Sequence, residues 1–61
     1  MNGKQIIKKL QSEGWKLKRV NGSHHIMGKG IVSVTVPVHG SQDLKIGTLS
    51  SIEKETGVKL R

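Results

Sequence analysis

The chain has 61 residues, no cysteine, one aromatic side chain (Trp15) and a formal net charge of +7. That length allows a single domain, residues 1–61, with a small core, because a chain of this size buries only about 60% of the surface its unfolded form exposes. The missing cysteines exclude disulfides, thiolate metal sites and cysteine nucleophiles, and one ring does not make a stacking platform for single-stranded bases.

Asn2 can cap a helix, and Gln5 three residues later completes a capping box. Ile6, Ile7 and Leu10 then recur on one helical face, which predicts a first helix over 3–13 with Gly14 placed to cap its C-terminus. From Trp15 the period falls to two. Trp15, Leu17 and Arg19 alternate with Lys16, Lys18 and Val20, the pattern of a half-buried strand over 15–20. Asn21-Gly22 is a hairpin signal. A second strand is expected over about 23–28, with His24 and Ile26 on one face and His25 and Met27 on the other. Gly28-Lys29-Gly30 marks the next turn. The β-branched run from Ile31 to Val36 predicts a third strand, on which Val32, Val34 and Val36 share a face. Pro37 ends its pairing. A polar loop from Val38 to about Lys45 leads to a second helix over 46–56, carrying Leu49 and Ile52 at helical spacing and stopped by Gly57. Val58 and Leu60 then return to the sheet or its edge.

The order αβββα predicts an α+β fold, a three-stranded antiparallel meander with one face covered by two helices and the other face open.

The charge is uneven. Residues 1–40 carry seven basic side chains against Glu13 alone, whereas residues 41–61 carry four against three acidic ones. A basic half calls for a polyanionic partner. With a single ring arguing against stacking, contact through RNA phosphates and sugar hydroxyls fits better, and Lys16, Lys18, Arg19 and Lys29 are candidate phosphate contacts. No apolar run approaches the roughly 20 residues of a membrane span, and the start Met1-Asn2-Gly3-Lys4 lacks a signal peptide's apolar stretch, so a cytoplasmic location and no membrane partner are expected.

The chemistry-bearing residues are three histidines. His24 and His25 are neighbours on a strand and point to opposite faces, so they do not share a metal ion, and His39 with one of them leaves a zinc site incomplete. No metal and no cofactor are expected. Ser23 beside His24 lacks the geometry of a nucleophilic triad. What remains is an imidazole in a cationic setting beside a Gly22-Ser23 turn. RNA carries its own nucleophile, the 2′-hydroxyl. A base that removes its proton lets it attack the adjacent phosphate, and imidazole suits that step because it titrates nearest neutrality. Lysines nearby would stabilise charge on the phosphorane. A plainer role also fits these residues, with Gly22 and Ser23 as turn formers and the histidines as strand residues of a basic module that binds double-stranded RNA without cutting it.

Gly14-Trp15, then Val20-x-Gly22-Ser23-His24-His25, then Val34-Thr35-Val36-Pro37-Val38-His39, then Asp43-Leu44-Lys45-x-Gly47-Thr48-Leu49-x-x-Ile52 resemble, in order and spacing, the HicA toxin family, over nearly the whole chain. The resemblance implies a fold like a double-stranded-RNA-binding domain. It implies an endoribonuclease, an mRNA interferase that cleaves messenger RNA, and a partner antitoxin of the HicB type that covers the active site. It places the catalytic histidine on His24 and a supporting glycine on Gly22. His25 and His39 fall at positions for a supporting or alternative role.

Overall fold

The computed structural model describes residues 1–60; Arg61 lies outside them. Helix α1 (Gly3–Ser12) is followed by strands β1 (Lys16–Asn21), β2 (His24–Lys29) and β3 (Val32–Pro37) and by helix α2 (Ile46–Thr56). The strands form one antiparallel sheet in the order β1-β2-β3. This is the αβββα order read from the sequence, and it is that of a double-stranded-RNA-binding domain.

The start of α1 is fixed as its residues predict. The Asn2 side chain accepts from the Gln5 N–H at 2.9 Å, and the Gln5 side chain accepts from the Asn2 N–H at 2.9 Å. Such a cap stabilises a helix by about 1 kcal/mol. Gly3, Ile6 and Leu10 are its buried positions, spaced three and four apart. Gly3 is buried because α1 begins against the end of β3. A methyl group at Gly3 would strike the Pro37 carbonyl oxygen and come within 2.9 Å of Val38 Cα, so only a residue without Cβ fits there. The helix ends one residue earlier than predicted. Glu13 is the cap, and Gly14, with φ of +94°, reverses the chain. Gly14 N–H donates to the Gln11 carbonyl (3.2 Å) and Trp15 N–H to the Leu10 carbonyl (3.0 Å). That pair of bonds is a Schellman motif, and its usual apolar contact is supplied by Leu10 and Trp15, both buried. Trp15 therefore belongs to the helix end rather than to the first strand.

Each strand starts one residue later than expected. The reason lies in the first turn. Asn21 pairs with His24, so the two-residue loop is Gly22-Ser23 and not Asn21-Gly22. Gly22 has φ of +62°, and among the described residues none other than glycine has positive φ. That is the pattern of a II′-type hairpin turn, with glycine first. The second turn repeats the arrangement. Lys29 pairs with Val32, and Gly30-Ile31 forms the loop, which leaves Ile31 fully exposed at the tip rather than opening the strand.

The core lies between the sheet and the helices. Ile6, Leu10, Trp15, Met27, Val34, Val36, Leu49, Ile52 and Leu60 form one buried cluster, with Ile7, Leu44 and Val58 against it. Met27 pairs with Val34 and His25 with Val36, so these side chains share the helix-covered face. Gly57, with φ of +72°, ends α2 as expected. The chain then folds back: Leu60 N–H donates to the Glu53 carboxylate at 2.7 Å, and Leu60 is buried in the core. Among the described residues, no helix is long and apolar enough to cross a membrane.

Candidate functional site

His24 begins the central strand, on the sheet face opposite the helices. Directly across from it stand Asn21 on β1 and Pro37 on β3. The pairing continues one step past Pro37, where Val38 N–H donates to the Ser23 carbonyl at 2.7 Å. Hydrogen-bonded and non-hydrogen-bonded pairs alternate in an antiparallel ladder, so His24 and Pro37 form a non-hydrogen-bonded pair, with Cα atoms about 4.5 Å apart. That position explains how β3 tolerates a proline, since no ladder donor is needed there. It also sets the pyrrolidine ring beside the imidazole as a fixed wall.

The pattern of two breaks in β1. Leu17 pairs with Met27 and Arg19 with Ile26, so Lys18 is an extra residue, a single-residue bulge. The predicted alternation of Trp15, Leu17 and Arg19 against Lys16, Lys18 and Val20 therefore fails beyond Leu17. Leu17 and Val20 lie on the helix side, opposite Met27 and His25. Lys16, Arg19 and Asn21 lie on the open side, opposite Gly28, Ile26 and His24. Lys18 joins them: a methyl group at Gly28 would lie 2.6 Å from Lys18 Cε and 3.0 Å from its Cγ. The lysine's aliphatic stem thus lies over Gly28 and buries it, while the residue itself stays exposed. The bulge brings Lys16, Lys18 and Arg19 onto the face that carries His24.

Thr35, paired with Ile26, and Arg19 lie diagonally from His24 on the two sides of the central strand. Such diagonal neighbours sit roughly 7–8 Å apart, within reach of long side chains and of one bound phosphate. Nothing in the sequence points to Asn21, Thr35 and Pro37 as neighbours of His24. Only the register reveals them, and the register depended on placing the turn at Gly22-Ser23.

The remaining predicted residues sit elsewhere. His25 is half-buried on the helix side, its Nδ1 3.4 Å from the Ser23 carbonyl oxygen that also receives the Val38 N–H. Lys29 is on that same side, and its Nζ donates to the Glu13 carbonyl at 2.9 Å. A cation there satisfies an orphan carbonyl at the negative end of α1, so Lys29 stands apart from the cations of the open face. Gly22 and Ser23 form the turn that precedes His24. None of the described residues lies within 4 Å of where a Gly22 side chain would project, so glycine is required there by conformation alone. His39 is exposed and follows the last ladder bond, at the His24 end of the sheet. It lines a depression of about 190 Å³ together with Gln42, Asp43, Leu44, Lys45 and Thr48. Among the described residues no three histidine or carboxylate side chains converge as metal ligands would.

The face thus offers a solvent-accessible imidazole with Arg19 and small hydrogen-bonding groups near it, and with Lys16 and Lys18 further along the same face, beside Gly28. A model of the HicA toxin of bacterial toxin-antitoxin systems matches residues 3–58. No curated protein matches the chain.

Proposed function

Because the chain belongs to the HicA toxin family, we propose that this toxin is a metal-independent endoribonuclease that cleaves messenger RNA, with His24 as the proton-transfer group. The observation that carries the reading is the shared face of His24, Lys16, Lys18 and Arg19, which puts an imidazole where a phosphate backbone would be held. His24 takes the proton of a ribose 2′-hydroxyl. The freed oxygen attacks the adjacent phosphorus, and the bond to the 5′-oxygen of the next nucleotide breaks. The products are a 2′,3′-cyclic phosphate and a 5′-hydroxyl. Arg19, diagonal to His24, counters the charge that builds on the phosphorane, and such preorganised charge is worth most in the transition state, while Lys16 and Lys18 hold neighbouring phosphates of the strand. Gly22 and Ser23 hold the turn that presents His24. The messenger RNA is engaged in the cytoplasm, and a HicB-type antitoxin neutralises the toxin by covering the same open face.

The test is cleavage of a defined messenger RNA in the presence of EDTA. Wild type is expected to cut and to leave 2′,3′-cyclic ends, and His24→Ala is expected to lose activity by about 10²–10⁴-fold, the usual worth of a general acid–base group. Full activity of His24→Ala would remove His24 from the chemistry, and loss of wild-type cutting in EDTA would remove the metal-free mechanism. The αβββα order also suits a module that grips duplex RNA without cutting it. In that case RNA is recovered intact after salt-sensitive binding.

A further inference from the structure

In-line attack at phosphorus puts the attacking 2′-oxygen and the leaving 5′-oxygen on opposite sides of the reacting atom. One imidazole fixed on a strand does not touch both at once, so a second group must protonate the leaving oxygen or the 5′-alkoxide leaves unaided. We propose that this group is His39, and the proposal rests on the ribonuclease reading above.

The geometry comes from the ladder. The Val38 N–H to Ser23 bond keeps β3 in register one residue beyond Pro37. The chain turns only after His39, where Gln42 N–H donates to the His39 carbonyl at 3.0 Å. His39 therefore follows the line of the strand. Two residues past Pro37, it falls on the side of the sheet that carries Pro37 and His24. On that continuation of β3 it takes the position diagonal to His24, and diagonal neighbours in a ladder sit roughly 7–8 Å apart. Two imidazoles at that separation can bracket one phosphate, with the Pro37 ring between their backbones.

The alternatives are poorer. His25 is turned into the helix side and half-buried. Lysine and arginine hold their protons too tightly for efficient transfer near neutrality. The chain has three histidines in all, so His39 is the one imidazole left. It is exposed, and Lys45 and Thr48 line the same depression, with the Asp43 carboxylate among them. A strand that crosses His24 and passes Pro37 meets His39 and then these donors.

The step balances as follows. A ring nitrogen of His24 accepts the 2′-hydroxyl proton as the oxygen's electron pair forms the new bond to phosphorus. The bond from phosphorus to the 5′-oxygen breaks with its pair on that oxygen, which takes a proton from His39. His24 ends protonated and His39 neutral, and exchange with water restores both.

A short RNA with one mapped cleavage site supplies the test when its leaving 5′-oxygen is replaced by sulfur. A thiolate departs without a proton. His39→Ala and His39→Gln are expected to cut the all-oxygen RNA about 10²–10⁴-fold more slowly than wild type. They should cut the sulfur-substituted RNA within a few-fold of wild type, whereas His24→Ala fails on both. Equal impairment of the His39 variants on the two substrates would overturn the assignment, because it signals binding or folding rather than proton delivery. So would undiminished cutting of the all-oxygen RNA. A wild type that leaves both substrates intact, or a fully active His24→Ala, would instead sink the parent reading.

Discussion

Replacing Gly22 with alanine separates what the turn contributes by its shape from what it contributes by its side chain. Gly22 has φ of +62°, and a side chain there would meet nothing within 4 Å. The substitution introduces no clash, only strain. Holding an L-residue at positive φ costs roughly 1–2 kcal/mol. Alanine also stiffens the unfolded chain, which returns about 0.4–1 kcal/mol. The net loss is about 1 kcal/mol, which for a domain of this size lowers Tm by about 4–8 °C. Asparagine tolerates positive φ better than alanine, so Gly22→Asn should lose less. Thermal melts followed by circular dichroism at one pH and one salt concentration measure both. An alanine variant that melts with wild type, or an asparagine variant less stable than the alanine one, would refute the conformational argument.

Three further outcomes follow from the same structure. Gly3→Ala should be worse than Gly22→Ala by urea denaturation, with a loss of about 1–3 kcal/mol, because its methyl group meets the backbone of Pro37 and Val38 rather than open solvent. Met27→Ala, at a fully buried site in the centre of the sheet, should cost about 2–5 kcal/mol and leave much of the protein unfolded at 37 °C, as its circular dichroism would show. In RNA-binding titrations over a range of salt, Arg19→Ala should lower the slope of log K against log salt by about 1, whereas Lys29→Ala should leave that slope alone. The Lys29 variant should instead lower Tm slightly, through the lost bond to the Glu13 carbonyl.

The parts of the fold set by local chemistry were legible in the residues. Asn2 and Gln5 announced the start of α1, and Gly57 announced the end of α2. The alternation of Val34 and Val36 marked the core face of β3. The opposed directions of His24 and His25 also followed from strand geometry alone. What was hidden depended on pairing. Asn21-Gly22 and Gly22-Ser23 are both acceptable turn centres, and choosing between them moves every strand boundary by one residue. The run Lys16-Leu17-Lys18-Arg19-Val20 gives no sign that Lys18 is an inserted residue, because any of these side chains tolerates a solvent-facing bulge. Without the bulge, Arg19 and the two lysines fall on opposite faces, and the cationic surface that shares the face of His24 is not seen. Lys29 finds its partner sixteen residues away in sequence, which no local pattern reports. The likeness to the HicA family, by contrast, could be read from short ordered motifs spread along the chain.

The bulge in β1 has a second effect. That strand is an edge of the sheet, and all six of its residues are exposed. An edge with free backbone donors and acceptors invites another copy to add a strand, and a kink lined with lysine and arginine discourages it. The side chains that would grip RNA therefore also hold copies of this protein apart. Variants that neutralise Lys16, Lys18 and Arg19 together are then at risk of self-association, so light scattering belongs beside any measurement of their lost activity.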